Sequence, residues 1–303
     1  MKEFRVANGD VDIAVRDTQG AGAPLLFLHG LGRSLLDWSK ILPLLADDYR
    51  LIAMDLRSHG RSGAGAWTWP AVLDDVHAVL TRCAAEHATI VGHSLGGIVA
   101  ARYAHEHPET AGVVNLDGFG KGRPEYYIGI DRDVVLERLQ QLRAFEVALA
   151  GRTLSDAEAN AMVQQALGAA ARMGVAPELL EESLRRGMQD LGGGRVGFRP
   201  GEAAQREIQA SLDETDVLGL YRSLSCPLLI VRGTRPNPVD RGIEWLPPLL
   251  AAYAEGLRQQ LDAMAGQAGT RVEYVDATHA MIVEIPRDLA ALIRQFSHDC
   301  ARR

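Results

Sequence analysis

A chain of 303 residues, 47% hydrophobic and 23% charged, has room for one large α/β domain or two smaller ones, and its balance excludes wholesale disorder, collagen and simple coiled coil. Its 32 basic and 39 acidic residues give a net charge of −7 with no basic stripe, which argues against a nucleic-acid partner, because phosphate neutralisation supplies most of that affinity. Three widely spaced cysteines (Cys83, Cys226, Cys300), a polar start at Met1–Arg5 and no apolar run near ~18 residues predict no disulfide framework or zinc site, no signal peptide and no membrane span, hence a soluble cytoplasmic protein.

The chain opens as a predicted hairpin, Phe4–Ala7 and Val11–Arg16 around Asn8-Gly9-Asp10, since Asn-Gly favours a tight turn. Pro24–Leu28 is a short continuous apolar run, as in strands buried on both faces, and it ends at His29-Gly30-Leu31-Gly32. Helical spacing follows at Leu35–Leu45, then a strand at Tyr49–Met54 ending at Asp55, and a helix at Pro70–Glu86 with proline in its first turn. Ala88–Val91 is a strand that runs into Gly92-His93-Ser94-Leu95-Gly96. A helix over 95–107 stops before Pro108, and the strand Gly112–Leu116 ends at Asp117. This alternation predicts βαβ units and a mainly parallel sheet.

From about Lys121 to Arg222 the pattern carries no buried strand. Helices are predicted at 131–149, 155–173, 177–190 and 202–222, the second opening on the capping-box spacing of Ser155 and Glu158. Gly192-Gly193-Gly194 reads as a flexible joint. The sheet pattern resumes at Pro227–Val231, and a Pro-rich loop leads to a helix near 248–265. A last strand, Arg271–Val275, runs into Asp276-Ala277-Thr278-His279, and a helix over 286–298 closes the chain. The expectation is a core of residues 1–120 and 223–303, with an all-helical cap of 121–222 inserted after the sixth strand.

Gly92-His93-Ser94-Leu95-Gly96 matches G-x-S-x-G between a strand and a helix, the context that lifts a serine hydroxyl off a sheet edge. That hydroxyl needs a base. His279, after the last strand, lies at the same predicted edge. Two N–H donors would hold an oxyanion: Leu95, just after the serine, and Leu31 in the glycine-rich loop after the third strand.

These residues resemble the α/β-hydrolase superfamily through His29-Gly30, Asp55 to Ser62, Gly92 to Gly97 and His279, in order, over about 1–118 and 224–300. The resemblance implies an eight-stranded sheet with one antiparallel strand near the start, helices on both faces and a helical cap. It implies neither metal nor organic cofactor. The chain departs from the family at the acid: Gly233-Thr234-Arg235-Pro236-Asn237 holds no carboxylate. Asp117 at the end of the sixth strand is therefore the expected triad acid, with Asp240, Glu244 and Asp276 as rivals. The expected substrate pocket is lined by His29, Gly30, Trp38, His93, Phe119, Tyr126 and Tyr127, with Phe145, Trp67 and Trp69 at the core–lid junction. The function this implies is hydrolysis of a carboxylic ester, lactone or thioester of a small to medium apolar molecule through an acyl-enzyme on Ser94. The competing readings are a C–C hydrolase, perhydrolase or lyase on the same scaffold and a non-catalytic ligand-binding member. Nothing in the sequence fixes an oligomeric state.

Overall fold

A computed structural model of the chain describes residues 1–171, 177–236 and 242–302. Six strands form before the middle of the chain: β1 (Lys2–Asn8), β2 (Val11–Asp17), β3 (Ala23–Leu28), β4 (Tyr49–Met54), β5 (Thr89–His93) and β6 (Gly112–Leu116). Three short strands follow, β7 (Thr153–Ser155), β8 (Met188–Gly192) and β9 (Arg195–Phe198), and then β10 (Leu228–Gly233) and β11 (Thr270–Val275). Eight of them make one sheet in the order β1-β2-β4-β3-β5-β6-β10-β11. β2 is antiparallel to both its neighbours, and all pairs from β4 to β11 are parallel.

The inner parallel strands are largely apolar on both faces, and each face packs its own core. Leu26, Leu28, Ile90 and Val113 face the helices Trp69–Arg82 and Leu95–Glu106. Leu25, Phe27, Val91, Val114 and Leu229 face Trp38, Leu45 and the closing helix Pro286–Cys300. The hairpin turn forms where Asn-Gly predicts it, with Asn8 opposite Val11.

Between β6 and β10 the chain leaves the sheet. It forms helices Arg132–Ala150, Asp156–Ala171, Pro177–Arg186, Glu202–Asp213 and Val217–Arg222. The capping box is made: Glu158 N–H donates to Ser155 Oγ at 3.2 Å and Ser155 N–H to Glu158 Oε2 at 2.8 Å. Residues 172 and 173 of the helix predicted over 155–173 lie outside the described residues.

This segment is not all helical. β7, β9 and β8 form a second, antiparallel sheet, and the helix predicted over 177–190 ends at Arg186. Gly192, Gly193 and Gly194 are the turn of the β8–β9 hairpin, all three at positive φ, not a joint. The short strands lack apolar alternation because they are largely exposed, so the sequence carried no hydrophobic signal for them.

The segment is fastened to the sheet by ion pairs and aromatic residues. Arg186 Nε donates to Asp55 Oδ2 at 2.9 Å, with both side chains fully buried, and Arg186 also pairs with Glu3 on β1. Trp67 and Trp69, expected at the substrate junction, are buried beneath helix Glu202–Asp213 instead. Trp69 Nε1 donates to the Ser211 carbonyl at 3.0 Å. No helix among the described residues is long and apolar enough to cross a membrane.

Candidate active site

The C-terminal ends of β3, β5, β6, β10 and β11 lie side by side on one sheet edge, where ligand sites of open α/β sheets form. Ser94 follows β5 and precedes helix Leu95–Glu106. Its φ of 54° and ψ of −119° are strained for a residue with a side chain. The turn closes this tightly because Gly92 and Gly96 have no side chains. A Cβ on Gly92 would sit 2.1 Å from the Gly96 carbonyl oxygen, and one on Gly96 would sit 2.1 Å from that of Leu28. Leu95 N–H is among the helix's first N–H groups, which have no intrahelical acceptor, and Leu95 borders the same cavity as Ser94.

Asp117, at the end of β6, also has a positive φ, 55°, and is buried. Its Oδ2 accepts from His279 Nδ1 at 2.7 Å. Its Oδ1 accepts from Arg232 Nη1 at 2.6 Å and from Gly233 N–H at 3.3 Å. Burial pushes the carboxyl pKa upward, but the hydrogen bond from His279 and the charge of Arg232 outweigh it and hold the group below its ordinary range. Asp117 is thus an ionised acceptor, and His279 Nδ1, facing it, carries the hydrogen. That leaves Nε2 as the basic nitrogen.

β10 lies between β6 and β11, so the loop bearing His279 has to cross the end of β10 to reach Asp117. Gly233 makes the crossing possible: a Cβ there would lie 2.7 Å from the Ala277 carbonyl oxygen and 3.0 Å from that of Thr278. The loop is pinned by Thr234 N–H to Val275 O and Arg235 N–H to Ala277 O, both at 3.0 Å.

Ser94, Leu95, Asp117, His279, Leu31, Phe119, Tyr126 and Tyr127 all border one cavity of about 780 Å³ between the sheet edge and the β6–β10 segment. Its walls are mainly apolar (Leu139, Leu142, Leu218, Leu249), with Lys121, Glu146, Gln209, Arg143 and Asp213 forming hydrogen-bonded polar groups among them.

Four residues expected in the pocket lie elsewhere. Trp38 is fully buried against Phe27 in the core on one face of the sheet. His29 is fully buried too. Its Nε2 accepts from Leu56 N–H at 3.0 Å and its Nδ1 donates to Gly30 O, so it braces two loops. His93 lies beneath His279 and donates from Nε2 to the His279 carbonyl at 2.8 Å. Burial and the neighbouring His279 push its pKa down to about 4, so it is a neutral support. Gly30 borders Ser94 rather than the cavity, a Cβ there falling 3.2 Å from Ser94 Cβ. Phe145 is exposed on its helix.

Of the rival acids, Asp276 is exposed and pairs with Arg235 at 3.2 Å, and Glu244 is exposed. Asp240 lies outside the described residues.

The sequence reading missed Arg232, Asn115 and Tyr221. Asn115 fixes the turn after Asp117 by accepting from Gly118 N–H at 2.9 Å, and the Tyr221 hydroxyl donates to the Gly118 carbonyl. The available signal was Asp117 itself: a carboxylate buried at the end of β6 needs partners there. Among the described residues no cluster of three His, Cys, Asp or Glu is placed to hold a metal ion.

A family model described as the alpha/beta hydrolase family matches residues 25–292. The chain belongs to the alpha/beta hydrolase family. This hydrolase is 26% identical over 304 residues to a fluoroacetate dehalogenase of a Burkholderia species, a match covering 92% of this chain and 88% of that one. It is 28% identical over 240 residues to the 2-(acetamidomethylene)succinate hydrolase of Mesorhizobium japonicum, covering 76% of each. Among solved structures, an E-2-(acetamidomethylene)succinate hydrolase superposes with a TM-score of 0.68 at 24% identity, covering 97% of this chain and 98% of that one. The thioesterase domain of the curacin biosynthetic pathway superposes with a TM-score of 0.66 at 20% identity, with the same coverage. At these identities the superpositions speak for the fold alone.

Proposed function

We propose that this alpha/beta hydrolase cleaves a carboxylic ester, lactone or thioester of a small to medium apolar molecule through an acyl-enzyme on Ser94. The observation that carries the reading is the 2.7 Å contact between Asp117 and His279, made at the mouth of the cavity into which the strained Ser94 turn also opens. His279 Nε2 takes the Ser94 proton as Oγ attacks the acyl carbon. The N–H groups of Leu31 and Leu95 receive the oxyanion. Collapse breaks the bond to the leaving alcohol or thiol, which takes the proton from His279. Water, deprotonated by His279, then attacks the acyl-enzyme, releases the acid and restores Ser94. Asp117 holds the imidazole in the productive tautomer and stabilises its cation.

The substrate class follows from the walls: leucines, Phe119 and the two tyrosines near Ser94 suit an apolar acyl or alcohol group. The β6–β10 segment is the cap in this reading, and it screens the acyl-enzyme from bulk water. The test is rapid mixing with p-nitrophenyl butyrate. A burst of nitrophenol matching the enzyme concentration is expected from the wild type. Ser94→Ala should lose the burst and fall on the order of 10⁵-fold in turnover. An active Ser94→Ala refutes the reading.

A further inference from the structure

Arg232 has no counterpart in the roles above, yet it makes the shortest contact to Asp117. The guanidinium sits one residue before Gly233 on β10, at the cavity rim, and its side chain is largely covered. It stacks over the Phe119 ring, 5.7 Å from the centroid, which limits its rotation. Each oxygen of Asp117 therefore has separate duties: Oδ1 to Arg232 and Gly233, Oδ2 to His279.

We infer that Arg232 is a positioning residue for the proposed reaction, clamping Asp117 Oδ1 so that Oδ2 is held in line with His279 Nδ1. The inference rests on the reading of Asp117 as the triad acid. It accounts for how an acid displaced from β10 to β6 is kept in place: the strand that lacks the carboxylate supplies the cation that anchors it. Without Arg232 a nearly buried carboxylate keeps only the longer Gly233 bond on Oδ1 and is free to rotate away from the imidazole.

The experiment measures kcat and KM on p-nitrophenyl butyrate at about pH 7.5 for the wild type, Arg232→Met, Arg232→Lys and Asp117→Asn. Arg232→Met is expected to lose about tenfold in kcat and to keep KM within about threefold. Arg232→Lys, which restores the charge without the fork, should bring kcat back to within about threefold of wild type. An Arg232→Met kcat at the wild-type level overturns the inference, as does an Arg232→Lys variant no better than Arg232→Met, or a loss confined to KM, which would make Arg232 a substrate contact. An Asp117→Asn variant as active as wild type overturns the triad reading itself, whatever Arg232 does.

Discussion

Asp117 combines three properties that a replacement has to reproduce: burial, a positive φ and three hydrogen-bond donors on two oxygens. Asn at this position keeps the size and tolerates the backbone conformation. Its amide, however, removes the charge that stabilises the imidazolium and offers His279 either a neutral oxygen or a competing N–H. Asp117→Asn is expected to fold, to melt within a few degrees of wild type, and to lose about 10⁴-fold in kcat on an activated ester. Stopped assays at pH 7 with parallel melting curves check both halves, and retention of more than about a tenth of the activity would move the acid role to another carboxylate. His93 supports the same site from below. His93→Phe removes the hydrogen bond to the His279 carbonyl while filling the space, so activity should fall about tenfold with the pH profile unmoved, since His93 is already neutral at working pH.

At the scale of elements, Gly233 and Arg186 each join two segments far apart in sequence. Gly233→Ala puts a methyl 2.7 Å from the Ala277 carbonyl oxygen, so the loop carrying His279 has to rise. Activity is expected to fall about 100-fold for a stability cost of only about 1–2 kcal/mol, a split that kinetics and urea unfolding read separately. Arg186→Met leaves Asp55 buried without its cation. That carboxylate also accepts from Leu35 N–H at 2.8 Å and Arg61 N–H at 2.7 Å, so the loss propagates from the end of helix Pro177–Arg186 to the loop before Trp38. The expected cost is about 3 kcal/mol, read as a shift of the urea midpoint, with partial recovery when Asp55→Asn is added. What could be read from sequence at this scale follows the physics of burial. Strands buried on both faces announce themselves as apolar runs, and the Ser94 turn is dictated by glycines at fixed offsets, so the sheet and the site edge were legible. The exposed β7–β9 sheet carries no such pattern. Trp38, Trp67 and His29 were misplaced because an aromatic ring or imidazole near a glycine loop looks the same in sequence whether it faces a cavity or the core. The anchoring of Asp117 by Arg232 is a contact across 115 positions of the chain, which no local pattern encodes.

For the molecule as a whole, three imidazoles buried as neutral bases set the pH dependence of stability. His29 and His59 are fully buried and lie with ring centroids 5.2 Å apart, and His93 is nearly so. Burial is the main cause that lowers all three; it brings His59 down to about 3 and His93 to about 4. In the unfolded chain each returns to its ordinary range near 6.5. Folded-state values below unfolded ones mean that the unfolded chain binds more protons over this interval. The stability these histidines contribute is therefore present above about pH 6.5 and is lost as pH falls toward the folded values. His59 and His93 each contribute a loss of about 2 kcal/mol between pH 7 and pH 5, about 4 kcal/mol together. Depressed carboxylates such as Glu3, held at about 2 by its arginine partners against the opposing effect of burial, add to the loss only below about pH 4.5. The expected signature is a urea midpoint that starts to decline near pH 6.5, well before carboxylates titrate. In His59→Gln one of these groups no longer titrates. That variant should be weaker than wild type at pH 7, yet lose about 2 kcal/mol less stability on going to pH 5. Urea unfolding at about pH 7.5, 6.5, 5.5 and 5 distinguishes the two cases. A midpoint that stays flat to pH 5 would mean that these imidazoles are charged in the fold, and the Leu56–His29 contact would then have to break as donor meets donor.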